Sequence, residues 1–234
     1  MTLYPRSRIR NFIASLFITF TLFSFFSCSD SSPSISIISP TLVADYSDSL
    51  SSPSVRLCVF AEVNSDIRRC DYVKARHEGS GLEWIADEPR LIAGRTRKFA
   101  GWSDFVVPSG MDIPSGKWTF TFSDFSGEES SGTFFLNYDK KMLEKKAGDF
   151  PDAIKESRNE VYAVYTDKGL LCYFGEKKRT WNNLEASILK HYPNAKYYRK
   201  CYQTKNKTVV YMMPPVFLPE IKPEDNKNDS SLEK

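Results

Sequence analysis

Hydrophobic positions along most of this chain recur at every second residue. In SVRLCVFAEV (54–63), Val55, Leu57, Val59, Ala61 and Val63 fall on one side and Arg56, Cys58, Phe60 and Glu62 on the other. That is the period of a strand with one buried face. NSD then supplies a turn, IRRCDYVKA reads as the return strand, and LEWIAD, RLIAGRTRKFAGW and SDFVVPSG follow as short apolar runs. The alternation returns at 117–123, where Trp118, Phe120 and Phe122 oppose Lys117, Thr119, Thr121 and Ser123, and Phe134 and Leu136 answer after a Ser/Gly turn. Short strands separated by turn residues, with little helical period, predict a β-sandwich over 34–139.

The pattern changes at 140–158, a charged, helix-tolerant stretch broken at Pro151 that reads as a connector or short helix. Over 159–221 the spacing predicts a small α+β domain of ββαββ order. EVYAVYTDKGLLCYFGE is a hairpin turning at DKG. TWNNLEASILKHYPN is a helix capped by Thr180 and ended by Pro193, with Trp181, Leu184, Ile188, Leu189 and Tyr192 on its apolar face. Two further strands flank TKNK. One helix on one sheet face leaves such a unit marginal alone, so it is expected to dock on the sandwich or to be stapled by cysteines. Residues 222–234 are polar and read as a disordered tail.

Charge sharpens this division. The whole chain carries only +3, which argues against a nucleic-acid partner. Its halves differ: 29–139 holds 10 basic against 16 acidic residues, a net of −6, and 140–222 holds 17 against 9, a net of +8. Opposite signs fit two units that attract each other or face different partners.

The first 27 residues form a unit of another kind. Arg6, Arg8 and Arg10 precede Phe12 to Phe26, an apolar run interrupted only by Ser and Thr, shorter than the ~20 residues that span a bilayer. Cys28 follows Ser27 and opens a polar stretch, Ser29, Asp30, Ser31, Ser32, Pro33. This arrangement resembles a bacterial lipoprotein signal, with Phe25 and Phe26 in place of the usual Leu and small residue, as in spirochaete-type lipoproteins. The resemblance implies a signal peptide over 1–27, a diacylglycerol thioether on Cys28, commonly with an N-linked palmitate, and an acylated tether over 28–33. Two or three acyl chains at ~0.8 kcal/mol per buried methylene anchor stably. The implied location is the bacterial cell envelope, facing the periplasm or the cell surface.

A second resemblance lies in IPSGKWTFTFSDFSGEESSGTFFLNY. Ile113, Gly116, Trp118, Asp124 and Gly127 occupy the places of the final two strands in immunoglobulin-like and fibronectin type III-like domains. Trp118 replaces the usual Tyr, so an indole N–H stands where a hydroxyl would donate. The resemblance implies an immunoglobulin-like sandwich, a scaffold from which function does not follow.

With Cys28 acylated, Cys58, Cys70, Cys172 and Cys201 remain. They are either two disulfides, Cys58 with Cys70 across a hairpin centred on Asn64 and Cys172 with Cys201, or free thiols. No Cys/His spacing suggests a metal, no phosphate loop or hydrolase motif appears, and no cofactor is expected. His77 and His191 read as structural. The candidate binding surface comprises Arg95, Arg97, Lys98 and Trp102 on the sandwich and Lys177, Lys178, Arg179, Tyr198 and Arg199 in the C-terminal unit, where basic and aromatic residues interleave. The expected function is a non-enzymatic, membrane-anchored binding or assembly module for another protein or an envelope polymer. The alternatives are an envelope hydrolase using His77 or His191 and a structural spacer.

Overall fold

The computed structural model describes residues 32–154 and 158–219. The expected signal peptide, Cys28, the first residues of the tether and the tail lie outside them. The chain is mainly β. Its strands are β1 (Ile35–Asp45), β2 (Ser54–Val63), β3 (Cys70–His77), β4 (Glu83–Ala86), β5 (Arg90–Ala93), β6 (Lys98–Phe105), β7 (Gly116–Asp124), β8 (Glu129–Leu136), β9 (Arg158–Thr166), β10 (Leu171–Gly175), β11 (Ala195–Thr204), β12 (Val209–Met212) and β13 (Val216–Phe217), and α1 (Leu184–His191) lies between β10 and β11.

The strands form two sheets. One has the order β4-β3-β7-β8; the other runs β10-β9-β11-β12-β1-β2-β6-β5, with β13 pairing β11. Alternation explains how they meet. Leu57, Val59, Ala61 and Val63 of β2 and Trp118, Phe120 and Phe122 of β7 are buried in one apolar core, together with Leu42 and Ala44 of β1 and Val73 and Ala75 of β3. The Asp124 carboxylate accepts from the backbone N–H of Ser126 and Glu128, and Gly127 at φ +82° closes the β7–β8 turn, a conformation that side chains with a Cβ rarely adopt. The indole N–H of Trp118 donates to the Pro114 carbonyl at 3.1 Å.

β2 and β3 do not form the hairpin expected around Asn64. A 3-10 turn at Ile67–Arg69, capped by the Asp66 side chain, carries the chain from one sheet to the other. Cys58 thus faces away from the core on β2, its Sγ 2.9 Å from the Ser103 carbonyl, while Cys70 is buried on β3. Cys172 and Cys201 lie on β10 and β11, which β9 separates, and they pack in different clusters. All four thiols are unbridged, which corrects both expected pairings: a disulfide requires Cα atoms within about 7 Å, and each pair is divided by a sheet or a strand. Burial pushes the Cys70 and Cys201 thiols up to about 12.

Two elements join the C-terminal part to the sandwich. β12 pairs in parallel with β1, Leu42 opposite Val209 and Ala44 opposite Tyr211, so one sheet crosses from one part to the other. The connector also contributes to the core. Phe150 is buried with its ring 5.1 Å from Tyr211, 5.6 Å from Tyr46 and 5.9 Å from Tyr202. Beyond it, α1 covers β9 and β11 through Ile188, packed with Tyr162, Val164, Tyr198 and Trp181. The helix is capped by Asn183, whose side chain accepts from the Ala186 N–H, and not by Thr180. An Asn three residues further on supplies the acceptor that the first turn needs.

Candidate binding surface

Strand pairing assembles a site that no contiguous stretch of sequence displays. Leu171 of β10 lies opposite Tyr165 of β9, Tyr165 opposite Tyr197 of β11, and Tyr197 opposite Phe217 of β13. Directly paired residues share a sheet face. These four therefore form a row across four strands. Tyr198 and Val164, one position along, belong to the cluster under α1; since neighbours on a strand point to opposite faces, the row lies on the side away from the helix. The rings of Tyr165 and Tyr197 stack with centroids 5.1 Å apart, and Tyr197 and Phe217 are 5.8 Å apart. At its ends Leu171 is 55 % and Phe217 67 % exposed, and in the next row Phe174 is 48 % exposed. Exposed Lys168 and Leu170 occupy the β9–β10 turn beside it.

The same face holds an ion cluster. Asp45 at the end of β1 accepts from Arg199 NH2 at 2.6 Å and from Arg56 NH1 at 2.9 Å. Arg199 also donates to the carbonyls of Tyr46 at 2.7 Å and Met213 at 2.7 Å. Burial raises the Asp45 pKa, and the two guanidinium groups more than offset this, leaving it below the ordinary 3.8.

This geometry divides the expected surface residues. Arg199 lies on the face of the row but is engaged as a clasp between β1, β11 and the end of β12, and Tyr198 is buried beneath α1; alternation on a central strand sends one into an ion cluster and the other into the core. Lys178 is held among the rings of Tyr173, Trp181 and Tyr192. Lys177 and Arg179 are exposed beside it. Arg95, Arg97 and Lys98 surround the β5–β6 turn, where Arg97 faces Glu62 at 3.8 Å, and the guanidinium of Arg90 lies 5.8 Å from the Trp102 ring. β5 and β10 are opposite edges of the long sheet. The two basic groups are therefore separate surfaces.

His77 ends β3 in a buried pocket of hydrogen bonds. The Ser80 N–H donates to Nδ1 at 3.0 Å, so the ring proton sits on Nε2, 3.2 Å from the Ser115 carbonyl it meets. The Ser80 hydroxyl is 2.8 Å from the same Nδ1. The nitrogen that would take its proton already accepts from the backbone, an arrangement that pins the β3–β4 turn. His191, the last residue of α1, has Nδ1 2.8 Å from the Ser187 carbonyl.

Leu171, Tyr165, Phe174 and Phe217 escaped sequence reading because their proximity depends on register. The only signal was their period-2 placement with an apolar residue on the nominally solvent side. No family model, curated protein or solved structure matches this chain.

Proposed function

We propose that the protein is a lipid-anchored component of a bacterial cell envelope that binds another protein through the outer face of its C-terminal strands. The observation that carries the binding reading is the row Leu171–Tyr165–Tyr197–Phe217, exposed at its two ends and half-buried at the two tyrosines between them. Contiguous apolar area on a surface is a mark of an interaction site, and aromatic residues dominate binding hot spots. Leu and Phe at the ends of the row suit an apolar protein surface better than a hydroxyl-covered polymer. Exposed Lys168 in the adjoining β9–β10 turn, in a half of the chain with a net charge of +8, favours a partner with an acidic rim.

Anchoring through Cys28 rests on the basic, apolar, cysteine order of the N-terminal sequence. The immunoglobulin-like reading of the sandwich is supported by its strand order: β4-β3-β7-β8 facing β1-β2-β6-β5 corresponds to the C′CFG and ABED sheets of that fold. In that reading β12 extends the sheet at the first strand's edge. The order β9-β10-α1-β11-β12 likewise supports a small α+β unit.

The test uses the full chain expressed in a bacterial host. Labelled palmitate is expected in the wild type at the membrane and absent from Cys28→Ser, which leaves the membrane fraction; an unlabelled wild type would refute the anchor. A partner recovered with the wild type is expected to be lost from Leu171→Ser/Phe217→Ser and retained by Arg95→Gln/Arg97→Gln. The reverse pattern would move the interface to the sandwich edge.

A further inference from the structure

The loop between β10 and α1 contains a cation-binding geometry that the proposed interface does not use. Lys178 Nζ stands 5.0 Å from the ring centroid of Tyr173, 5.5 Å from Trp181 and 5.3 Å from Tyr192. It donates to the Tyr192 hydroxyl at 3.2 Å. The rings brace one another, Tyr173 lying 5.0 Å from Trp181 and 5.9 Å from Tyr192. Each is fixed by a different element: Tyr173 by β10, Tyr192 by the end of α1, and Trp181 by burial against Ile188 and Tyr162.

Trp181 adds an independent observation. It is 1 % exposed, and its indole N–H has no hydrogen-bond partner among the described residues. The indoles of Trp84 and Trp118, by contrast, donate to the carbonyls of Val106 and Pro114. An unsatisfied buried donor is destabilising, and a fold that satisfies the equally buried indole of Trp118 gives no structural reason for this one.

We propose that Tyr173, Trp181 and Tyr192 form a receptor for trimethylammonium groups, which Lys178 occupies when no ligand is bound. Three aromatic faces around one positive charge are the arrangement by which proteins recognise quaternary ammonium ions. The primary ammonium of Lys178 is a poor permanent occupant. It is strongly hydrated and brings three N–H donors, one of which finds a partner in the cage, the Tyr192 hydroxyl. A trimethylammonium group has no donors to satisfy. Lys178 is half-exposed on a flexible four-carbon stem, so it leaves for water without movement of the backbone. A quaternary ammonium without N–H donors is the occupant that three aromatic faces suit best. Phosphocholine has this chemistry, either free or as a lipid headgroup.

The experiment titrates the full chain, in a detergent free of choline, with phosphocholine and with tetramethylammonium, following tryptophan fluorescence and the Trp181 indole N–H resonance. Saturable binding is expected, about tenfold tighter in Lys178→Ala, from which the competing occupant is gone, and lost in Tyr192→Leu. Phosphatidylcholine vesicles form a second arm. Response to vesicles alone assigns a membrane surface as the source, and response to both assigns the headgroup itself. A folded Lys178→Ala that responds to none of the three overturns the proposal and leaves the cage an internal clamp. Should that variant fail to fold, an unmoved Trp181 resonance in the wild type at saturating phosphocholine overturns it equally.

Discussion

Asp45 receives Arg199 from β11 on one carboxylate oxygen and Arg56 from β2 on the other, so a single residue couples three strands. Removing one member of a part-buried ion cluster leaves its partners uncompensated. Arg199→Ala is therefore expected to cost about 3 kcal/mol, read from urea unfolding at neutral pH. The acid limb tests the same contact. The Asp45 pKa is lower folded than unfolded, so its contribution is complete above about pH 4 and is lost as pH falls through the lowered value. Asp45→Asn is expected to be less stable than the wild type at neutral pH, with the gap narrowing below pH 4; a gap independent of pH would assign the clasp no ionic role. Only part of this scale was legible in the sequence. Alternation identified Trp118, Phe120 and Phe122 as core, whereas Arg199 looked like one basic residue among several, because nothing local announces a carboxylate 154 positions away.

At the scale of elements, β2 and β6 approach so closely that a Cβ on Gly101 would lie 2.1 Å from the Val59 carbonyl oxygen. Gly101→Ala must move one backbone, and a loss of several kcal/mol is expected by the same denaturant measurement. The connector makes an equally specific demand. Phe150→Ala opens a cavity among Tyr46, Tyr202 and Tyr211 and is expected to cost about 3–5 kcal/mol; a loss under 1 kcal/mol would mean that this stretch is a passive tether. Periodicity located β2, β7, β9 and α1. It did not reveal the sheet switch after β2, since a turn that closes a hairpin and a turn that crosses between sheets are built from the same Asn, Ser and Asp residues. The apparent Asn64 hairpin and its cysteine pairing arose from that ambiguity.

At the scale of the molecule, parallel pairing of β12 with β1 makes the two parts one hydrogen-bonded sheet. Unfolding is expected to give a single calorimetric transition whose van't Hoff and calorimetric enthalpies agree. Two separated transitions would show that the pairing is weak. The charge asymmetry fitted either attraction between the parts or separate partners, and the ββαββ pattern either docking or a cysteine staple. The edge-to-edge mode was not visible, because VVYM reads the same whether β1 or solvent lies beside it. The binding row is likewise a property of register: Leu171, Tyr165, Tyr197 and Phe217 become neighbours only after β10, β9, β11 and β13 pair. Its role is tested most directly by a photo-crosslinking residue placed in the full chain at position 171, 217, 95 or 102 in turn, in cells. The account predicts one common protein adduct from positions 171 and 217 and none from 95 and 102; an adduct confined to 95 and 102 would contradict it.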